Sequence, residues 1–290
     1  MPVYPGARTV WGGRDSLVSH DRPTSRRGGL LRPVSPFPRE FRRLAALYLR
    51  MPRNARDVLP DYAHHVTQRG TDRQIVFRTA VDRRVSLDLM RESQDDAGVR
   101  ILAFCLMTNH VHFVAVPEHG DSLAVLFRRV HGRYAQYFNA RNGRAGHLWQ
   151  ARFHSCVLSP RHLEIALRYV EWNPVRAGMV SLPERYPWSS SASHLNEAPW
   201  DPMLDAGFWK ARGGAEGWRL RTAQPQPGVL EHLLKRCTYS ERPFGDSSFV
   251  AEVEGKLGKK WARWPYEREL IDREMEKSLD ALVPETLTAA

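Results

Sequence analysis

Two strand-like runs that stand almost end to end constrain the fold of this chain more than any other feature. Arg100–Met107 (RILAFCLM) is mostly apolar, and His110–Pro117 (HVHFVAVP) alternates polar and apolar residues at its start. Only the corner Thr108-Asn109 separates them, and two strands joined by so short a connection are typical of a β-hairpin. The chain therefore contains a sheet that is antiparallel at this point.

The rest of the regular pattern places one strand before this hairpin and further elements after it. We predict strands at 62–69 and within 148–159, and helices over 81–97, 123–139 and 159–173. Ser159 and Pro160 suit the start of the last helix, and Pro174 disfavours helical geometry at Asn173. The order β-α-β-β-α-β-α predicts an α+β fold with an antiparallel sheet and helices packed on one face.

Composition divides the chain into three parts. Residues 1–50 carry scattered Gly, Pro, Ser and Arg, which is typical of a disordered basic arm; alternatively, Met51 is the true start and 1–50 is a mis-called leader. Residues 51–195 hold the regular pattern and form the main predicted domain. Residues 183–202 resemble a linker, and 196–290 are predicted to be a small helical accessory region, with helices near 228–236 and 247–257.

The charge of the chain favours an acidic partner. The formal net charge is +11 and the isoelectric point is near 9.9, so nucleic acid is the usual expectation and a membrane surface is the alternative. Residues 51–195 contain 19 Arg, no Lys and 13 acidic residues. Arginine suits bidentate contacts with phosphate, although a GC-rich genome would also favour arginine codons.

Cysteine usage and hydropathy indicate a cytoplasmic protein, and the expected nucleic-acid partner indicates association with the nucleoid. The three cysteines, Cys105, Cys156 and Cys237, are far apart and form no CxxC pair, which fits a reducing cytosol. The sequence has no apolar run long enough for a membrane-spanning helix and no signal-peptide pattern at Met1.

The motif His110-Val111-His112 is the first candidate for chemistry. Residues two apart on a strand share a face, so the two imidazoles project together while Val111 and Phe113 point into the core. Such a pair can bind one divalent cation, but two ligands alone hold a metal weakly, and a solvated strand face remains the alternative. His64 and His65 are adjacent and point to opposite faces, so at most one of them could reach the same site.

A tyrosine and an asparagine on the last predicted helix form the second candidate. Tyr169 and Asn173 are four residues apart and share one helical face. A carboxamide oxygen is an acceptable ligand for Mg²⁺ or Mn²⁺, whereas a phenol with its ordinary pKa of about 10 is a poor nucleophile without a nearby cation. The alternative, in which Tyr169 packs in the core and Asn173 only caps the helix, stays open on spacing alone.

Several motifs in a fixed order give these residues a context. They are HHVTQRG (64–70), MTNHVH (107–112), RYAQYFN (133–139), GHLWQARF (146–153), RYVEWNPVRAGMV (168–180) and PWSS (187–190). Together they resemble the REP-associated tyrosine transposases, within the HUH single-tyrosine transposases. The resemblance covers residues 51–195, and the C-terminal stretch ERPFGDSSFVAEVEGKLGK is similar to the tail of many bacterial members.

The resemblance implies a ferredoxin-like, RRM-like HUH nuclease fold and a specific reaction. His110, His112 and Asn173 would bind a divalent metal, Mg²⁺ or Mn²⁺, and Tyr169 would attack single-stranded hairpin DNA to leave a 5′-phosphotyrosine and a free 3′-OH. No organic cofactor is implied. The oligomeric state stays open, with a homodimer among the alternatives.

Candidate DNA contacts and competing nucleophiles come from the same motifs. The candidate contacts are Arg69, Arg128, Arg129, Arg133, Tyr137, Trp149 and Arg152, since single-strand sites combine basic and aromatic side chains; ordinary surface or core roles are the alternative for each. Tyr134 and Tyr137 compete with Tyr169, but the residues one turn after them are Phe138 and Arg141, which cannot bind a metal.

Two other functional classes remain at this point. A catalytically silent, domesticated DNA-binding regulator would keep the fold without turnover. A metal phosphohydrolase with a water nucleophile would need more carboxylate ligands, and only Glu118 and Asp121 lie close to the histidines in sequence.

Overall fold

Four antiparallel strands form the centre of the molecule. The computed structural model describes residues 56–222, 228–261 and 273, so the predictions for residues 1–50 lie outside the described residues. The strands are β1 (His64–Arg69), β2 (Val99–Leu106), β3 (His110–Pro117) and β4 (His154–Val157), and they lie in the order β2-β3-β1-β4. The predicted α+β class with an antiparallel, ferredoxin-like sheet is confirmed.

The predicted hairpin is formed by β2 and β3. Leu106 pairs with Val111 and Cys105 pairs with His112, and residues 107–109 connect the two strands. A bulge between Ile101 and Ala103 shifts the register of β2, so these two residues, which are two apart in sequence, lie in different hydrophobic cores.

Nine α-helices with defined bounds occur among the described residues. They are α1 (Ala80–Arg91), α2 (Ser122–Arg141), α3 (Leu163–Glu171), α4 (Asn173–Arg176), α5 (Ser191–His194), α6 (Ala206–Lys210), α7 (Gly214–Thr222), α8 (Gly228–Tyr239) and α9 (Ser247–Leu257). A capping box between Thr79 and Asp82 starts α1. The helix ends at Arg91, earlier than predicted, because turns occupy the residues up to Gly98, whose φ is +61°.

Helices cover both faces of the sheet, which differs from the predicted single face. On the first face, Val111 and Phe113 of β3 share a core with residues of α1 and α2. On the second face, Val114 and Val116 share a core with residues of α3 and α8. Apart from its two histidines and the final Pro117, β3 is apolar on both sides, and a strand of this kind needs a cover on each side.

The predicted strand within 148–159 is confirmed, but the helix after it departs from the prediction. The strand is β4, His154–Val157, which pairs with β1. The predicted single helix up to Asn173 is divided, because α3 ends at Glu171 and α4 begins at Asn173, with Pro174 in its first turn. Proline has no N–H to donate to the preceding turn, and its ring disturbs a continuing helix.

The segment predicted as a linker lies along the outer edge of β2. The Leu106 N–H donates to the Trp188 carbonyl at 2.8 Å, and the Ser190 N–H donates to the Phe104 carbonyl at 3.0 Å. Tyr186, Ser189 and Ser190 are buried. The segment therefore covers an edge strand that would otherwise present unpaired backbone groups.

The three cysteines all lie in the part of the chain that the structure describes. Cys105, Cys156 and Cys237 are free and buried. In the ranges 56–222 and 228–261, no helix combines the length and hydropathy needed to cross a membrane.

Candidate active site

The two histidines of β3 project together from the second sheet face. His110 pairs with Arg69 and His112 pairs with Thr67 across β1 and β3, and the two imidazole rings are 4.9 Å apart. Val111 and Phe113 point to the first face, where they are buried. Strand alternation alone predicts this arrangement.

A third histidine joins them from β1. The His65 Nε2 lies 3.0 Å from the His112 Nδ1, and the two rings are stacked with their centroids 5.2 Å apart. His64 lies on the other face, where its Nε2 accepts a hydrogen bond from the Leu59 N–H at 3.2 Å. The adjacent histidines therefore point to opposite faces, as the alternation of a strand requires.

Helix α3 places Tyr169 against this cluster. The Tyr169 ring meets the His65 ring and the His112 ring edge-on, each at a centroid distance of 5.5 Å. Asn173 follows one turn later, and its Nδ2 donates to the Tyr169 carbonyl at 3.1 Å. The residues predicted as nucleophile and ligands thus lie in one place, although α3 has already ended before Asn173.

Arg176 is part of the site and was not predicted from the sequence. Its guanidinium carbon lies 4.4 Å from the centre of the Tyr169 ring. The same guanidinium donates to the Tyr169 carbonyl and to the Glu231 carboxylate, each at 2.6 Å. The sequence signal that could have indicated Arg176 is its place in the motif RYVEWNPVRAGMV, seven residues after Tyr169.

Burial sets the protonation of these groups. It lowers the pKa of His65 to about 3 and that of His110 to about 4, and it holds the pKa of His112 well below its ordinary value, with neighbouring cationic groups adding to the effect. The imidazoles are therefore neutral near pH 7, which is the form that binds metals. Burial also raises the pKa of Tyr169, against the opposing effects of Arg176 and an Asn173 hydrogen bond.

The donor atoms of the site fit a divalent metal. The His110 Nδ1 contacts the Asn109 Oδ1 at 2.7 Å and the His112 Nδ1 contacts His65. Among the described residues, the hydrogen bonds of His110 and His112 use Nδ1, and the Asn173 side chain donates through Nδ2. Partners at Nδ1, such as Asn109 and His65, orient imidazoles that bind a metal through their other ring nitrogen. Within those same residues, no cluster of three or more His, Cys, Asp or Glu side chains is placed to hold a metal, so the set depends on the asparagine amide.

Positive charge surrounds the site. Arg69 and Lys235 both lower the pKa of His110 through their charges, after the larger effect of burial. Arg176 adds a third cation beside Tyr169. Arg69, predicted as a DNA contact, is the member of that predicted set whose charge lowers the pKa of both His110 and His112. An anionic group is the natural ligand of such a surface.

The other predicted DNA contacts lie away from the histidines. Helix α2, which packs on the first sheet face, carries Arg128, Arg129 and Arg133. Arg129 pairs with Asp96 and Arg133 pairs with Glu92, each at 3.1 Å and exposed to solvent. The structure does not bring these three residues to the site.

The competing tyrosines and the remaining contacts have structural partners on the first face. The buried Tyr134 hydroxyl donates to the Val76 carbonyl at 2.5 Å, and the Tyr137 hydroxyl donates to Asp82 at 3.1 Å. The Trp149 indole donates to the His131 carbonyl at 3.1 Å. Arg152 is exposed just before β4. Neither competing tyrosine approaches the histidine pair.

Fold and site together define a protein with a ferredoxin-like sheet that carries paired histidines opposite a tyrosine. Residues 59–173, less than half of the chain, match the family model described as Transposase IS200 like. The segment that carries the histidines and Tyr169 is thus similar to the IS200-like transposases, which confirms the resemblance predicted from the motifs.

Two solved structures are also similar to the chain. One is described as a REP-associated tyrosine transposase bound to a REP hairpin, with 19% identity, a TM-score of 0.43, and coverage of 54% of this chain and 92% of that chain. The other is a transposase candidate from Deinococcus radiodurans R1, with 17% identity, a TM-score of 0.29, and coverage of 41% and 96%. A search of curated proteins gave no match.

Proposed function

We propose that this protein is an HUH-type transposase, a nuclease and strand transferase that acts on single-stranded hairpin DNA through Tyr169. One observation carries the proposal: the Tyr169 ring lies against the His65 and His112 rings, each at a centroid distance of 5.5 Å. The family match over residues 59–173 supports it. The hairpin form of the DNA follows from the motif resemblance.

The chain's own residues supply most of what the reaction needs. Arg69, Arg176 and Lys235 would hold the scissile phosphate, and His110, His112 and Asn173 would hold Mg²⁺ or Mn²⁺. When bound, the metal would act as a Lewis acid on the phosphate. Arg176 lowers the pKa of Tyr169 against the effect of burial, so it favours the phenolate that attacks.

The covalent step exchanges one phosphoester for another. The Tyr169 Oη forms a bond to phosphorus, the bond from phosphorus to the 3′ oxygen breaks, the phenolic proton goes to water, and the released 3′ oxygen takes up a proton. The products are a 5′-phosphotyrosine and a free 3′-OH. Attack by a different 3′-OH reverses the step and joins strands.

The test uses the full chain with labelled single-stranded hairpins taken from around its own gene. We expect a covalent protein–DNA adduct on a denaturing gel that requires Mg²⁺ or Mn²⁺ and disappears in Tyr169→Phe. Tyr62→Phe is the matched control, because the Tyr62 hydroxyl contacts Glu252 on α9, and we expect its adduct to form normally.

Other outcomes would favour the alternatives. Tight binding to hairpins without any adduct would favour the silent DNA-binding regulator. Metal-dependent cleavage that survives in Tyr169→Phe would contradict the tyrosine mechanism and favour a water nucleophile.

A further inference from the structure

A buried chain of hydrogen bonds runs from His112 to helix α8. The His112 Nδ1 contacts the His65 Nε2 at 3.0 Å, and the His65 Nδ1 contacts the Thr238 Oγ1 at 2.7 Å. The Thr238 hydroxyl then contacts the Leu234 carbonyl at 2.7 Å. His65, His112 and Thr238 are all at least 96% buried, so water does not compete for these contacts.

Only one arrangement of protons fills all three contacts. A carbonyl oxygen has no proton, so Thr238 must donate to Leu234 and must accept from the His65 Nδ1. A neutral imidazole carries one ring proton, which leaves the His65 Nε2 as an acceptor. His112 therefore donates its Nδ1–H and keeps a bare Nε2. The reverse arrangement would leave two oxygens 2.7 Å apart with no proton between them.

We propose that Thr238 is a positioning residue that acts through His65 to fix His112 in the tautomer whose Nε2 can bind a metal. The inference deepens the proposed function and rests on it for the ligand role of His112. Thr238 touches neither metal nor DNA in this scheme. Its hydroxyl determines which ring nitrogen of His65 carries the proton. The buried His65 in turn determines which ring nitrogen of His112 carries the proton.

The position of Thr238 assigns a role to the C-terminal region. Helix α8 lies outside the segment 59–173 that matches the transposase family. It also carries Glu231, which holds Arg176 at 2.6 Å. Glu231 and Thr238 are seven residues apart, so they share one face of α8. One face of α8 therefore holds both Thr238, which contacts His65 next to His112, and Glu231, which contacts Arg176 next to Tyr169.

Thr238→Val tests the inference, because valine keeps the shape of threonine and removes the hydroxyl. We expect Mn²⁺ to bind the full-length variant 10- to 100-fold more weakly, roughly the usual effect of losing a partner behind a metal ligand. Thr238→Ser keeps the hydroxyl and should bind Mn²⁺ like the wild type. Isothermal titration calorimetry with Mn²⁺ alone gives the affinities.

A second readout needs no metal and no turnover. In metal-free wild-type protein, ¹⁵N NMR of the ring nitrogens should show His112 protonated at Nδ1, and Thr238→Val should show a mixture of tautomers. A wild-type His112 protonated at Nε2 would overturn the inference, and this measurement decides even if the valine variant does not fold. Unchanged affinity and tautomer in a folded Thr238→Val would overturn it as well.

Failure of the proposed function has a different signature. If neither the wild type nor His110→Ala shows any Mn²⁺ binding by calorimetry, the metal mechanism is overturned. The ¹⁵N signals of the His112 ring would still decide the role of Thr238. An adduct that forms in Thr238→Val with the same dependence on Mn²⁺ concentration as in the wild type would leave the proposed function standing and overturn this inference alone.

Discussion

At the scale of single residues, identical side chains take different tasks because of the face on which they lie. His64 and His65 are neighbours on β1, yet His64 contacts Leu59 and Tyr62 while His65 contacts His112 and Thr238. Strand alternation predicts the opposite faces. It does not predict the partners, because Thr238 is 173 residues away from His65 in sequence.

The ionisation of Tyr169 should respond in opposite directions to two substitutions. Arg176 lowers the Tyr169 pKa and Glu231 raises it, although burial is the largest effect. Arg176→Met should therefore raise the Tyr169 pKa, and Glu231→Gln should lower it. Ultraviolet absorbance of the phenolate, taken as the difference from Tyr169→Phe in each background, measures both shifts. Shifts of the same sign would show that charge is not the cause.

Tyr134 offers the opposite case, a tyrosine with a purely structural task. Tyr134→Phe removes the hydrogen bond to the Val76 carbonyl, so we expect a loss of about 1 kcal/mol in the free energy of unfolding. Adduct formation by the folded variant should persist. Urea unfolding measures the first effect and the denaturing gel the second; an adduct lost with stability unchanged would mean that the wrong tyrosine has been assigned to the reaction.

At the scale of elements, the glycine that ends β1 explains part of the motif HHVTQRG. A Cβ atom at Gly70 would lie 2.6 Å from both the Gln74 carbonyl oxygen and a methyl group of Val76. The Gly70 N–H also donates to the Asn109 carbonyl at 2.9 Å. The turn after β1 therefore packs too closely against its neighbours to admit a side chain.

Gly70→Ala should destabilise the protein, because the backbone or Val76 must move to make room. We expect a loss of roughly 1–3 kcal/mol in the free energy of unfolding, the usual range for overpacking. Gly120→Ala is the control, since a Cβ there would meet nothing within 4 Å. Urea unfolding of both variants checks the difference, and equal stabilities would contradict the steric account.

Periodicity predicted the elements better than composition did. The β2–β3 hairpin and helices α1, α2, α8 and α9 follow apolar patterns, although their ends shift. The segment around Trp188 was wrongly predicted to be a linker, because its Pro, Ser and Trp content is typical of one. Its backbone in fact forms hydrogen bonds with Phe104 and Leu106. Pairing along a sheet edge depends on tertiary position, which local composition does not record.

The sequence predicted only those residues of the candidate site that belong to a recognisable spacing or motif. His110, His112, Tyr169 and Asn173 came from spacing and motifs, and the structure brings them together; their chemical roles stay predictions. The contact between Arg176 and Glu231 spans 55 residues. No local pattern connects residues so far apart, so the contribution of α8 became visible only in the folded chain.

At the scale of the whole molecule, buried histidines should make the fold sensitive to mild acid. Burial lowers the pKa of His64 to about 4, and those of His65 and His131 to about 3. Between the ordinary histidine pKa of about 6.5 and these values, the unfolded chain binds protons that the folded chain does not. Stability is therefore full above about pH 6.5 and falls as the pH drops toward 4.

His64→Gln should weaken this pH dependence, because glutamine can both accept from the Leu59 N–H and donate to the Tyr62 carbonyl. Urea unfolding at a series of pH values gives the slope, which should decrease by up to about 1.4 kcal/mol per pH unit. A slope that does not change would mean that His64 is not among the groups that couple folding to protons.

The cover on the second sheet face limits how the molecule can be reduced or recombined. Helix α8 and the indole of Trp218 lie over apolar side chains that the segment 59–173 exposes toward them. A shorter version that ends at Leu195 would expose that surface to water and would be expected to aggregate. Chimeras with similar transposases should keep β1, β3 and α8 from one parent, because contacts join His65 of β1 to His112 of β3 and to Thr238 of α8.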